Sequence, residues 1–163
     1  GGQRRLEEEM QSMSSSAHHN NEWDCNLDFE PRARILVADD DSCMRRLIVR
    51  ALQRDGYEVV EAADGADLLE EIGTSMLPEA REPPFDLIVT DLSMPCLDGL
   101  HVLAGLRGAD WHQPTVVITA RDDRFSYDEA ARLGVTAFFQ KPFDMAHFVR
   151  VIGRLTESAR AAF

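Results

Sequence analysis

Four apolar runs of the sequence each end in, or lead directly into, a side chain that phosphoryl chemistry uses. These side chains are Asp39, Asp40 and Asp41 after one run, Asp91 after another, and Thr119 and Lys141 at the ends of two more. A carboxylate can attack phosphorus or hold a divalent cation, a hydroxyl can donate to a phosphoryl oxygen, and an ammonium can neutralise one. Their shared placement predicts one site for phosphoryl transfer to a carboxylate.

The acidic run and Asp91 together predict a cation site. Carboxylates that lie a few ångströms apart repel each other, so they either take up protons or hold a cation. Mg²⁺ accepts one or two carboxylates together with water and phosphate oxygens, which makes it the natural partner. Alone, the acids at 39–41 fit equally well a solvated loop that caps the following helix.

Asp91 is the candidate covalent centre, because a carboxylate can become an aspartyl phosphate. Such a transfer needs charge neutralisation and positioning more than acid–base catalysis. Lys141 can neutralise one phosphoryl oxygen, and the Thr119 hydroxyl can donate to another. Taken singly, Lys141 fits a surface lysine and Thr119 an ordinary strand residue. Taken with the acids, both favour a functional site.

The elements that must position these residues alternate between strand and helix five times. Strands are predicted at 35–38, 57–62, 85–90, 114–119 and 137–140. Helices are predicted after a cap at Ser42, after the turn at Asp64 and Gly65, at 99–107, at 125–133, and after an N-cap at Asp144. This alternation, with right-handed crossovers, predicts an α/β fold: a doubly wound (βα)5 sandwich around a parallel five-stranded sheet.

The strand order 2-1-3-4-5, one of those found in doubly wound sheets, makes the first and third strands neighbours. In such sheets the functional crevice lies beyond the carboxyl ends of the strands. The acidic run and Asp91 would then be adjacent, and Thr119 and Lys141 would lie at the same edge. The predicted fold therefore brings the chemically active residues to one place.

The predicted domain spans residues 34–158, between an N-terminal arm or linker at 1–33 and a C-terminal tail at 159–163. The arm is polar, which favours a flexible or loosely docked segment. His18 and His19 have too few potential ligands nearby to predict a metal site. The proline-rich loop at 73–84 is long for a connection in this fold class.

Composition narrows the function classes. A net charge of -12 over 163 residues argues against nucleic-acid binding, which needs clustered Lys and Arg. Cys25, Cys43 and Cys96 are scattered without metal-ligand spacing, so reduced thiols are predicted. No apolar run approaches the roughly 20 residues of a membrane span, and the N-terminus lacks signal-peptide character. We therefore expect a soluble, cytoplasmic protein.

Together these motifs resemble the receiver domain of two-component response regulators, a flavodoxin-like domain of the CheY type. The matching residues are the run 35–41, Asp91 with Met94 and Pro95, Asp98 with Gly99, Thr119 with Ala120, and Lys141 with Pro142 and Phe143. The resemblance covers about residues 33–158. It implies that a histidine kinase or histidine phosphotransfer protein phosphorylates Asp91 with Mg²⁺. It also implies that the face of the fourth helix, fifth strand and fifth helix then switches toward a downstream partner or output domain.

The resemblance also implies a role for each site residue. Asp40 would ligate Mg²⁺ directly and Asp39 mostly through water, while Asp91 and the Ser93 main-chain carbonyl would complete the protein ligands. Thr119 and Lys141 would contact the phosphoryl group.

Further implied roles concern switching and structure. Phe138 would be the aromatic that turns with the state of Thr119, and a cis peptide bond would precede Pro142. Asp41 would be a bystander beside the cap of the first helix. Ser93 and Arg121 occupy variable positions that influence dephosphorylation rate in such domains. The domain would be a signalling switch rather than a turnover enzyme.

Other functions fit parts of the sequence. An aspartyl-nucleophile phosphohydrolase of the haloacid dehalogenase type would need an acid where Ser93 stands, and a substrate-capping domain. A phosphorylation-independent interaction module would keep the site residues but signal through its arm. A nucleotide-binding protein is disfavoured, because no glycine-rich phosphate loop follows the first strand. A free-standing receiver and a piece of a larger regulator both stay open.

Overall fold

A computed structural model describes residues 30–162, which form a parallel five-stranded sheet between two layers of helices. In chain order the elements are β1 (Arg34–Ala38), α1 (Ser42–Arg54), β2 (Glu58–Ala62), α2 (Gly65–Ser75), β3 (Leu87–Asp91), α3 (Gly99–Gly108), β4 (Thr115–Thr119), α4 (Arg124–Arg132), β5 (Ala137–Gln140) and α5 (Met145–Ala161). The strand order β2-β1-β3-β4-β5 confirms the predicted fold class. The predictions for 1–29, including the histidine pair and Cys25, lie outside the described residues.

The register of the sheet aligns the carboxyl ends of its central strands. Ala38 of β1 pairs with Thr90 of β3, so the next residues, Asp39 and Asp91, come in register on neighbouring strands. Thr119 of β4 pairs with Gln140 of β5, which places Lys141 one residue beyond. Since neighbouring strands lie only about 4.8 Å apart, this register alone concentrates the site at one edge.

Apolar residues from both faces of the sheet form the core. One face carries Ile35, Val37 and Val89 against α1 and α5, where Ile48, Leu52 and Phe148 are fully buried. The opposite face carries Leu36 and Ile88 against α2 and α3, together with Phe85 and Trp111. The all-buried strands β3 and β4 follow from this two-sided cover.

An aspartate caps the N-terminus of every helix in the part of the chain that the structure describes. The caps are Asp41, Asp64, Asp98, Asp123 and Asp144. The predicted cap at Asp144 is confirmed, whereas the prediction of Ser42 as the first cap is wrong. The Asp41 carboxylate accepts hydrogen bonds from the Cys43 and Met44 amides, at 2.9 and 3.2 Å, so α1 begins at Ser42 itself.

Several predicted boundaries shift by a few residues. Helix α2 runs to Ser75, so the first residues of the predicted loop 73–84 are helical. Strand β3 starts at Leu87 and includes Asp91, while Phe85 packs as a buried loop residue. Helix α5 extends to Ala161, into the segment predicted as a tail. Within residues 30–162, none of the helices combines the length and apolar character needed to span a bilayer.

Candidate functional site

Asp91 lies at the carboxyl end of β3 with only 4% of its surface exposed. Its Oδ1 accepts a hydrogen bond from the Ser93 amide, and its Oδ2 accepts one from the Lys141 ammonium, each at 2.8 Å. The following loop folds back closely: a Cβ added at Gly99 would lie 2.8 Å from the Leu92 Cα and would overlap the Asp91 carbonyl oxygen. A glycine is therefore required where the loop passes behind the acid.

Asp39 and Asp40 approach Asp91 from the end of β1. Asp39 is fully buried and Asp40 is exposed, and one carboxylate oxygen from each of the three acids lies within 4.8 Å of the others. The Asp39 Oδ1 also accepts from the Asp41 amide at 2.9 Å, which fixes the turn into α1. Two acids of the run therefore enter the cluster, whereas Asp41, predicted only as a neighbour of the cap, caps the helix itself.

Lys141 bridges the two buried acids. Its ammonium donates to the Asp39 Oδ2 and to the Asp91 Oδ2, both at 2.8 Å. The Lys141 amide donates to the Thr119 carbonyl at 2.8 Å, which ties the end of β5 to β4. The Lys141–Pro142 peptide bond is cis, as the resemblance implied. One ammonium thus serves two buried carboxylates.

The charges of this cluster are unequal. Burial raises the pKa of the Asp39 carboxyl above its ordinary value, although hydrogen bonds from Lys141 and the Asp41 amide oppose that rise. Burial also works to lower the pKa of Lys141, but hydrogen bonds to Asp39 and Asp91 outweigh it and raise this pKa. Lys141 therefore remains a cation, and the deficit of positive charge falls on the acids.

The acidic cluster fits a hard divalent cation. Its donors are carboxylate oxygens from Asp39, Asp40 and Asp91, the donor type that Mg²⁺ and Ca²⁺ prefer. Two of these acids are buried and, within the part of the chain that the structure describes, share the one ammonium of Lys141, so a further positive charge would be stabilising there. The residues present therefore suit a metal ion.

Thr119 lies fully buried at the end of β4, the strand next to β3. Its Oγ1 accepts a hydrogen bond from the Arg121 amide at 3.1 Å. The Arg121 side chain then crosses the mouth of the site, donating to the Ser93 Oγ at 2.9 Å and to the Asp98 carboxylate at 3.3 Å. This bridge between the loops after β3 and β4 was not predicted from the sequence. Opposite charges on loops that follow neighbouring strands were its only signal.

Phe138 is half-buried on β5. Its ring meets the Tyr127 ring of α4 edge-on, with centroids 5.1 Å apart. It also packs against the small cluster of Leu92, Leu103 and Val117 beneath the Asp91 loop. The aromatic position therefore touches both the face of α4 and β5 and the apolar residues behind the site.

Comparison with known proteins identifies the same kind of domain that the sequence motifs resemble. The family model described as "Response regulator receiver domain" matches residues 35–153. The transcriptional regulatory protein PrrA of Mycobacterium tuberculosis is 40% identical over 119 residues, which are 71% of this chain and 46% of that protein. The chemotaxis protein CheY-3 of Vibrio cholerae is 32% identical over 126 residues, covering 76% of this chain and 92% of that protein. The chain thus spans about half the length of the first relative and nearly all of the second.

Solved structures share the architecture. The receiver domain of the Francisella response regulator 1452 superposes with a TM-score of 0.69 at 28% identity, covering 77% of this chain and 98% of that one. A CheY-like receiver domain protein from Methanospirillum hungatei gives a TM-score of 0.71 at 21% identity over 80% of this chain and 98% of that one, which shows the shared fold alone.

Proposed function

The chain belongs to the response regulator receiver domain family, and from that membership we propose that Asp91 is its phosphoacceptor. The observation that carries this assignment is the convergence on Asp91 of the Lys141 ammonium and the Ser93 amide, each at 2.8 Å. Asp91 is also nearly buried at the carboxyl edge of the sheet, close to Asp39, Asp40 and Lys141. A phosphoryl group added there would lie close to the Lys141 ammonium and the Ser93 amide, both of which are hydrogen-bond donors.

Asp39, Asp40, Asp91 and the Ser93 main-chain carbonyl would hold Mg²⁺ in this proposal. Support comes from the grouping of the three carboxylates within 4.8 Å. When bound, Mg²⁺ would draw negative charge from the phosphoryl oxygens and offset the repulsion between the acids.

The protein groups have distinct tasks in the transfer. A carboxylate oxygen of Asp91 forms the new bond to phosphorus, and the phosphorus–nitrogen bond of a phosphohistidine donor breaks, with its electron pair returning to the imidazole. The flexible stem of Lys141 lets its ammonium, which has three N–H donors, turn toward one phosphoryl oxygen. The Thr119 hydroxyl donates to another oxygen. Neither group needs to exchange a proton, so positioning and charge carry the step.

The proposed output is a population shift of the face formed by α4, β5 and α5. Phosphorylation would draw Thr119 toward Asp91 and leave space behind it, into which Phe138 can turn from its contact with Tyr127. We propose a histidine kinase or histidine phosphotransfer protein as donor and a downstream protein or output domain as receiver of this signal. The domain then works as a switch rather than as a turnover enzyme.

Substitution of the acceptor tests the assignment. Asp91→Asn should abolish the mass increase of one phosphoryl group that acetyl phosphate and Mg²⁺ produce in the unsubstituted chain. Asp128→Asn is the matched control, since Asp128 is exposed on α4 and, among residues 30–162, forms its one ion pair with Arg124. An Asp91→Asn chain that gains the phosphoryl group at the unsubstituted rate would refute the proposal. Amide chemical shifts that do not change on addition of Mg²⁺ and beryllofluoride would instead favour the phosphorylation-independent interaction module.

A further inference from the structure

The long connection between α2 and β3 forms a pocket at the amino end of the sheet. It has a volume of about 380 Å³, and the buried ring of Phe85 forms its floor. Leu77, which is 55% exposed, lines one wall, and Met76 beside it is 53% exposed. This is a volume typical of protein pockets that accept a ligand or an anchoring side chain.

The floor of the pocket is held in place by Arg34. Its guanidinium stacks 4.6 Å from the centre of the Phe85 ring and donates to Glu58 at 2.9 Å and to the Pro83 carbonyl at 2.5 Å. The Arg34 backbone amide also donates a hydrogen bond of 2.8 Å to the Asp86 carboxylate. The pocket is therefore largely formed before anything binds, which reduces the ordering cost of an occupant.

The rim of the pocket is acidic. Glu71, Glu79 and Glu82 line it together with one arginine, Arg81. In the stretch from 30 to 162, none of these four charges forms an ion pair. The charge of Arg34 is already matched by Glu58. The rim therefore presents an excess of carboxylate around an apolar floor.

We propose that this pocket docks a cationic, amphipathic peptide segment of a partner protein. A Leu, Met or Phe side chain of the segment would enter over Phe85 and beside Leu77. Flanking Lys or Arg residues would reach Glu79 and Glu82 with their charged ends while their stems cover Met76 and Leu77. Charge complementarity and the mixed apolar surface together select this chemistry over an acidic or purely polar partner.

The position of the pocket separates it from the phosphorylation site. Arg34 begins β1 and Asp39 follows its end, so the two sites are separated by roughly 16 Å of strand. A partner seated at the amino end leaves the carboxyl edge open to a phosphodonor. Docking is then independent of the chemistry at Asp91 and does not rest on it.

A peptide titration of the isotope-labelled full chain tests the proposal. The probe is a short amidated peptide of alternating Lys-Lys and Leu-Leu pairs, and amide shifts are expected in residues 71–85. A matched Glu-Glu and Leu-Leu peptide should not bind. The affinity for the Lys-Leu peptide should be unchanged in Asp91→Asn. Absence of binding, shifts centred on Asp39 and Asp40 instead, or loss of affinity in Asp91→Asn would each overturn the proposal.

Paired variants separate local recognition from general attraction to an acidic protein. Glu79→Gln should weaken binding about two- to fivefold, whereas Glu70→Gln, an exposed neighbour on α2 outside the pocket, should not. Leu77→Ala should weaken it about five- to tenfold, against no change for Leu69→Ala. Equal losses within either pair would overturn the proposal. So would self-association of the unsubstituted chain in sedimentation that Glu79→Gln abolishes, because a second copy would then fill the pocket.

Discussion

The two ends of the parallel sheet balance charge in opposite ways. At the carboxyl end, the buried acids Asp39 and Asp91 share the single ammonium of Lys141. At the amino end, Arg34 has Glu58 as its own carboxylate and Phe85 beneath its guanidinium. The buried acids of the carboxyl end therefore keep an excess of negative charge that an added cation can relieve, whereas the Arg34 guanidinium at the amino end already has its own carboxylate partner.

This difference indicates how substitutions at the two ends should behave. At the carboxyl end, where two buried acids share one ammonium, a substitution should change both phosphoryl uptake and stability, and the stability can rise or fall. At the amino end, where Arg34 is already paired with Glu58, a substitution should lower stability and leave phosphoryl uptake unaltered. A substitution that raises stability at the expense of activity is therefore expected only at the carboxyl end of the sheet.

Lys141→Ala should have the largest effect on the free energy of unfolding. It leaves two buried carboxylates without their shared cation, and removal of one partner from a buried ionic group costs about 3 kcal/mol. Urea unfolding measures the loss, and Mg²⁺ should restore part of it. Lys141→Arg, which keeps the charge, is the control and should lose less. A loss below about 1 kcal/mol would mean that the buried acids tolerate the absence of a cation.

Arg34→Ala should cost about 2 kcal/mol at the other end. It removes the bonds to Glu58 and the Pro83 carbonyl and uncovers the Phe85 ring. Urea unfolding measures this loss, while phosphoryl uptake from acetyl phosphate should match that of the unsubstituted chain. Arg34→Lys should fall between the two, because lysine keeps the charge but loses the planar fork. A slowed uptake would contradict the independence of the two ends.

Asp91→Asn should raise stability by about 1 kcal/mol. The change removes one of two buried carboxylates that compete for Lys141, and the amide oxygen of asparagine keeps one of the two hydrogen bonds that the carboxylate accepted. Thermal or urea unfolding without Mg²⁺ measures the gain, with Asp128→Asn as the exposed control. A lower stability of Asp91→Asn would show that Lys141 satisfies both acids fully, and the contrast between the ends would then fail.

Much of the carboxyl end could be predicted from the sequence, because strand-end position needs only hydrophobic pattern and chain order. Asp39, Asp91, Thr119 and Lys141 each come at the end of an apolar run. Once the strand order was predicted, the shared edge followed, and the register of β1, β3, β4 and β5 bears it out.

The amino end and the mouth of the site could not be predicted in the same way. The contact of Arg34 with Phe85, and that of Arg121 with Ser93 and Asp98, join loop and strand-end residues far apart in sequence. Neither contact is signalled in the sequence by a hydrophobic period or by a recognisable motif. The nearly all-apolar run 85–90 predicts that Phe85 begins β3. Its burial under the long loop instead makes it the floor of a pocket.

Backbone strain gives the smallest contrast between the two ends. Cys96, in the loop after β3, has φ 67°, and Asp110, in the loop before β4, has φ 56°. A left-handed conformation costs a residue with a Cβ about 1–2 kcal/mol, but aspartate tolerates it better because its side chain can bond locally. Glycine removes that cost while adding entropy to the unfolded chain, so Cys96→Gly should gain about 0.5 kcal/mol. Asp110→Gly should gain less or nothing in the same unfolding experiment. An equal gain at both positions would contradict the better tolerance of the left-handed conformation by aspartate than by cysteine.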